Sequence, residues 1–219
     1  MTKKAWFYIG FFALLLGAFY FFVFYDYDFS QSKLKVINPE VPAFAFIDQD
    51  GKPITRNNTD DKVYVAEYFF TTCKGICPRM NNNLKTVYEK YKDDPDFMIV
   101  SHTSDPETDS AGKLKQYAAR LHIDTSRWVF LTGRKDSLYQ QARESYLLDD
   151  PKNSVVNIND QFLHTQFFAL VDKNGNVRGQ IYDGLKAAEL KQLENDIDNL
   201  LTEKTQQGNF ANSIFTNTP

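Results

Sequence analysis

Apolar residues follow three different patterns along this chain, and each predicts a different element. The first is an unbroken run: Ala5 to Tyr25 holds no charged residue. As a helix it spans about 30 Å, the thickness of a bilayer core. The second pattern is the short β-branched and aromatic run. Val63 to Phe70 is mostly apolar and reads as a central strand covered on both faces. Ala43 to Ile47, Phe97 to Ser101 and Trp128 to Leu131 are further strands. Phe167 to Val171 and Val177 to Tyr182 form a hairpin around the Asp172–Asn176 turn. The third pattern is helical spacing. Met80, Leu84, Val87, Tyr88 and Tyr91 recur that way behind Pro78, which fits a first helical position. Leu114, Tyr117, Ala118 and Leu121 predict a second helix, and Leu138, Ala142 and Tyr146 a third. Leu190, Leu193, Ile197 and Leu200 predict the last.

Strands alternating with helices, closed by a hairpin, predict an α/β sandwich around a mixed sheet. There is no internal repeat and no Gly-rich nucleotide loop. Asp172 to Asn176 has part of a calcium-loop pattern but no Glu at the twelfth position, so a plain turn is expected.

Lys3 and Lys4 precede the apolar run, and Asp26 and Asp28 follow it. Flanking positive charge holds the N-terminus in the cytoplasm and sends the rest across. A cleaved signal needs small residues at its cleavage site, and Phe21 to Tyr27 offers none. The expected organisation is therefore a cytoplasmic tip (1–4), a transmembrane anchor (5–25) and a tether (26–42). A single domain (43–204) and a polar tail (205–219) follow. The domain faces a compartment where disulfides can form.

Composition narrows the function. Lys plus Arg is 25 against 28 Asp plus Glu, a net charge of -3, which argues against a nucleic-acid binder. Much of the aromatic excess (Phe 19, Tyr 12) sits in the anchor. The two Cys exclude a disulfide-stapled fold, a four-Cys zinc site and an all-Cys iron–sulfur cluster.

Both Cys fall in one motif, Phe69-Phe-Thr-Thr-Cys73-Lys-Gly-Ile-Cys77-Pro78. On a turn entering a helix, the two sulfurs of a CxxxC can face one point. They can close a disulfide or hold a soft metal ion as thiolates. Free amides at the helix start are expected to lower the thiol pKa. Copper commonly takes a third ligand, and the chain has three His. His122 follows a helical stretch and reads as a surface residue. His102 and His164 both flank strands, and spacing does not choose between them. Asp105, Glu107 and Asp109 form an acidic loop after the second long strand: a solvated face, a partner patch, or support for metal ligands.

Taken together, these residues resemble the SCO/SenC family, the membrane-anchored copper chaperones of cytochrome c oxidase assembly. The resemblance is carried by the single anchor, Tyr68-Phe-Phe-Thr-Thr-Cys73 through Cys77-Pro78, and the Ser104-Asp-Pro-Glu-Thr-Asp109 block. Leu131-Thr-Gly133, His164, Leu170-Val-Asp172 and Gly175 complete it. It implies a thioredoxin-like three-layer sandwich with a central mixed sheet, preceded by one transmembrane helix. It implies copper, as Cu(I), Cu(II) or both, held by Cys73, Cys77 and His164, and leaves His102 and His122 without a metal role. Asp105 and Asp109 match a block near the family's site and are candidates for supporting the ligands or touching a partner.

The implied partner is the membrane-bound copper-accepting subunit of a haem–copper oxidase, with a thiol reductase or another copper donor as further partners. The implied location is the bacterial inner membrane, crossed once, with the domain in the periplasm. Where the family commonly has Pro after the first motif Cys, this chain has Lys74. Family members are also described as thiol–disulfide reductases, which would make Cys73 and Cys77 a catalytic pair. Against the usual thioredoxin version of that chemistry, the motif is CxxxC rather than CxxC. No Pro lies in the eight residues before His164, where thioredoxins set a cis-Pro.

Overall fold

The structure, a computed structural model, describes residues 2–24, 34–153 and 163–203. The tail 205–219 and the first part of the expected tether, 26–33, lie outside the described residues. Helix α1 (Lys3–Phe24) is a unit of its own, long and apolar enough to cross a membrane by length and composition.

The second unit holds the sheet. In chain order it runs β1 (Val36–Asn38), β2 (Ala45–Asp48), β3 (Pro53–Thr55), β4 (Val63–Phe69), α2 (Ile76–Tyr91) and β5 (Phe97–Thr103). Next come α3 (Ala111–Leu121), β6 (Trp128–Thr132), α4 (Lys135–Gln140) with a π-helical turn at Gln141–Ser145, β7 (Phe167–Val171), β8 (Val177–Asp183) and α5 (Ala187–Thr202). The eight strands lie in the order β1-β8-β7-β4-β5-β6-β2-β3. β4, β5 and β6 are parallel, and every other pairing is antiparallel. This is the mixed sheet of a three-layer sandwich.

All seven residues of β4 are buried, because helices cover both faces of the sheet. Val63, Val65 and Phe69 pack with Leu84 and Val87 of α2, Leu114 of α3 and Leu193 and Ile197 of α5. Tyr64, Ala66 and Tyr68 point the other way, into a second core with Phe46, Leu138, Ala142 and Tyr146. Successive strand residues thus serve different layers.

Three local expectations shift. Val36–Asn38, inside the stretch read as a tether, forms an edge strand on β8, and Val41 is buried with its N–H on the Gly175 carbonyl. The helix after the Cys motif begins at Ile76, so Pro78 is its third residue rather than its first. A missing N–H costs little there too, since the first four amides have no partner inside the helix. The third helix stays α-helical only to Gln140 and ends in the π turn, where the Tyr146 N–H reaches the Gln141 carbonyl.

The Asp172 turn is self-contained. Its Oδ1 accepts the N–H groups of Asn174 and Asn176, and its Oδ2 meets Arg178. Backbone and Arg178 thus take the oxygens a cation would need.

Candidate metal centre

Phe70 to Gly75 leaves the C-terminal end of β4 and turns into α2, at the edge where α/β sheets place ligands. The loop is pinned from behind by Asp109, which is fully buried. Its carboxylate accepts the Thr71 N–H at 3.0 Å, the Thr103 hydroxyl at 2.7 Å and the Thr71 hydroxyl. The Ser104 N–H reaches the Phe69 carbonyl at 2.8 Å, tying the β4 and β5 ends together. Asp105 caps its own loop instead: its N–H bonds Thr103 Oγ1 and its carboxylate accepts the Thr108 N–H. Of the two acidic candidates, only Asp109 bonds the Cys loop.

Cys73 is half-buried and Cys77 only 2% exposed; neither is in a disulfide. His164, just before β7, is exposed, with its ring 5.9 Å from that of Phe70. The two sulfurs and a His164 nitrogen all lie within 4.8 Å of one another, close enough to share one metal ion. Two thiols and an imidazole form a soft donor set that suits copper.

The expectation of a lowered thiol pKa fails at Cys77. Its thiol is pushed up to about 12, first by burial, then by the Cys73 sulfur and the Glu67 carboxyl. These outweigh the partial positive charge of the helix start, because Cys77 lies inside the first turn with its sulfur turned to the core. A metal cation, by replacing the proton, removes that penalty.

The other two His are placed elsewhere. His122 caps α3 in a left-handed conformation (φ 53°) and is exposed. His102 is fully buried on β5, on the side of the sheet that Tyr68 faces. It stacks on Tyr68 at 4.9 Å and touches Phe46 and Tyr146. Among the described residues neither of its nitrogens has a hydrogen-bond partner of normal geometry, although the Glu67 and Val100 carbonyls lie near. Burial pulls its pKa down to about 3, so it is a neutral core residue. Of the two strand-flanking His, His164 is the one that meets the sulfurs.

One functional neighbour escaped the sequence reading. Glu67 is the single charged residue in the β4 run, fully buried and close enough to act electrostatically on Cys77. A carboxylate inside an apolar strand was the available signal.

Comparison with known proteins agrees with this geometry. The SCO1/SenC family model matches residues 34–201. A curated relative, the SCO1 protein homolog of Bacillus subtilis (strain 168), is 31% identical over 172 residues, covering 77% of this chain and 86% of the relative. A solved structure of BsSco, described as a member of the Sco family of cytochrome c oxidase assembly proteins, superposes with a TM-score of 0.66. It is 30% identical and covers 79% of this chain and all of that one. Yeast Sco1 with copper bound shares the fold at a TM-score of 0.53 and 22% identity, over 76% of this chain and 95% of that one. By the span of the family match and the identity to its relatives, this chain belongs to the SCO1/SenC family.

Proposed function

We propose that the protein carries copper as cargo and delivers it to the copper-accepting subunit of a membrane-bound haem–copper oxidase. The observation that carries the reading is the meeting of Cys73 Sγ, Cys77 Sγ and a His164 nitrogen within 4.8 Å at the open end of β4. The copper bound in yeast Sco1, a protein of the same fold, supports it. The two sulfurs bind as thiolates, and their protons leave to solvent as the metal enters. His164 supplies the nitrogen from the exposed side, where a partner's ligand can replace it first. Cys73 exchanges next, and buried Cys77 last. Asp109 keeps Thr71, and through it the Cys loop, in one position while ligands change. Helix α1 is the anchor of a single-pass inner-membrane protein with its domain in the periplasm. Tethering to the membrane plane raises the local concentration near a membrane-bound acceptor.

A second reading has its own support. Cys73 is the more exposed sulfur and lies beside a buried partner thiol, the asymmetry of an attacking and a resolving cysteine. In that reading, Cys73 attacks a disulfide of the acceptor and Cys77 then displaces it. Anaerobic copper titration of the full chain in detergent, wild type beside His164→Ala, separates the two. Copper delivery predicts one tightly bound ion, weakened by the substitution. Pure thiol reduction predicts an unchanged rate of partner disulfide reduction and no effect of His164 on copper.

A further inference from the structure

The segment that carries the two cysteines differs in charge from the rest of the chain. Between Glu67 and Glu89 there is no acidic residue, while Lys74, Arg79 and Lys85 are basic. The chain as a whole is acidic, with a net charge of -3. Lys74 lies between the cysteines, and Arg79 lies in the first turns of α2, just after Cys77. Both are exposed, together with Gly75, Pro78 and Asn82, so this outer face of the Cys loop and helix start is basic or neutral throughout.

Elsewhere in the domain, cations are met by acids: Lys90 by Asp198, Lys115 by Asp50, Lys173 by Asp96 and Arg178 by Asp172. Among the described residues, the side chains of Lys74 and Arg79 make no ion pair and no hydrogen bond. Lys85 reaches only the neutral Leu121 carbonyl. The acidic loop after β5 does not compensate them. Asp109 is buried and directed at Thr71 and Thr103, and Asp105 caps Thr108. Glu107 is exposed but pairs with neither cation. The start of α2 has no side-chain cap and no acidic residue in its first turn, so the partial charge of the helix end has the same positive sign. His164 is exposed at this end of the sheet, and Phe167, where β7 begins beside the end of β4, is 39% exposed. An exposed imidazole and an aromatic ring thus lie at the same end as two uncompensated cations.

We propose that Lys74 and Arg79 form a cationic rim that receives an acidic protein surface, the surface around the partner's own sulfur or nitrogen ligands. Any partner that exchanges copper or disulfides with Cys73 has to approach past these two charges. Exposed rim charges act mainly on the rate of encounter, and salt screens them. They also offset the charge of Cu(I) held by two thiolates, which is minus one in total and would repel an acidic partner. A layer of anionic lipid has the same sign but would cover the mouth through which Cys73 and His164 are reached, whereas a protein face with its own ligands uses that mouth. The part of the proposal that concerns copper rests on the copper reading above; the charge of the rim does not.

The test uses the full chain, reduced and metal-free, in nanodiscs of neutral lipid. The probes are two synthetic peptides that differ only in having Glu-rich or Lys-rich flanks around one cysteine, held as a mixed disulfide with thionitrobenzoate. One thiolate of the pair attacks the peptide sulfur, the S–S bond breaks, and coloured thionitrobenzoate leaves with the bonding electrons. The second cysteine then displaces the peptide thiol, and the pair closes as a disulfide. At low salt the Glu-flanked peptide should react at least about tenfold faster than the Lys-flanked one, with the ratio falling toward one at high salt. The net charge of -3 predicts the opposite order, so the sign decides. Lys74→Glu with Arg79→Glu should invert the order, and Lys74→Gln with Arg79→Gln should remove most of it. Lys52→Glu makes the same kind of charge change in the exposed turn between β2 and β3, at the far end of the sheet, and should leave the ratio as in wild type. A faster Lys-flanked peptide in wild type, or a ratio unmoved by Lys74→Glu with Arg79→Glu, overturns the rim. Slowing of the Glu-flanked peptide in anionic nanodiscs, abolished by those substitutions, also overturns it and gives the face to the membrane. A second arm follows Cu(I) transfer from the loaded chain to the same peptides as free thiols. The same order is expected, and the reverse order overturns the proposal. If the chain binds no Cu(I), the copper reading falls, and thiol exchange alone decides the rim.

Discussion

Two adjacent positions on the same strand pair carry opposite kinds of buried polar group. Glu67 on β4 faces Ser101 on β5, and one residue on Tyr68 faces His102. The first pair points to the layer of α2, α3 and α5, beneath the Cys loop. The second points to the layer of α4 and the π turn. Glu67 accepts the Ser101 hydroxyl, with the Asn81 amide 2.9 Å away, while His102 sits among aromatic rings with the Glu67 and Val100 carbonyls beside its nitrogens. Both are fully buried, and both are shifted toward their neutral forms. The difference lies in the neighbours: an imidazole on the wrong face of a strand cannot serve a site, whatever its distance along the chain. His164, exposed at the mouth of the site, can.

The largest predicted effect comes from the site side. Cys77→Ser should weaken Cu(I) binding by more than about a hundredfold, beyond the loss usual for groups behind the ligands. A competition titration against a chelator of known affinity reads it. Asp109→Asn, which keeps the shape but weakens the bonds to Thr71 and Thr103, should cost about tenfold in the same titration.

The two faces should also answer pH with opposite signs. His102 has a folded pKa below its unfolded value, so the unfolded chain takes up a proton that the folded one refuses. Its contribution is intact above about 6.5 and is lost as pH falls toward 3, at most about 5 kcal/mol. Glu67 has a folded pKa above its unfolded value. Its contribution is intact below about 4.5 and is lost as pH rises through 8, with a similar upper bound. Denaturant unfolding of the reduced protein across pH should show His102→Phe flattening the acid limb and Glu67→Gln the alkaline limb. Limbs exchanged between the variants would contradict the assignment of faces.

The smallest effects belong to the surface. His164→Ala should leave unfolding within about 0.5 kcal/mol of wild type, since exposed substitutions usually do. His122→Gly should stabilise the domain slightly, by less than about 1 kcal/mol, because glycine adopts the left-handed cap without strain. Neither the sign nor the size of that change should depend on copper.

Much of this was legible in the chain. The β4 run, the helix behind Cys77 and the hairpin Phe167 to Asp183 follow from period and residue type, because each is a local pattern with one burial environment. The Cys pair was legible as a site because both residues share one turn. Three things were not. β1 is three residues long and is held by β8, more than a hundred positions away, so its own sequence carries no signal. The π turn that ends the third helix brings Tyr146 against Tyr64, again a distant contact. The choice between His102 and His164 depends on which face of the sheet a side chain takes at a loop of unknown path. The family resemblance selected His164, and the geometry brings that residue to the sulfurs. The raised pKa of Cys77 was hidden for the same reason: it is set by burial and by the Cys73 sulfur, with Glu67 adding to them, not by the helix start visible in the motif.

The most direct test of the central claim is anaerobic Cu(I) competition titration of the full chain, reduced and oxidised, with His164→Ala and His102→Phe alongside. The account predicts one tightly held ion per reduced chain, weaker binding in His164→Ala, wild-type binding in His102→Phe, and little binding to the disulfide form. Equal affinity in the reduced and oxidised chains, or wild-type affinity in His164→Ala, would contradict a centre built from Cys73, Cys77 and His164.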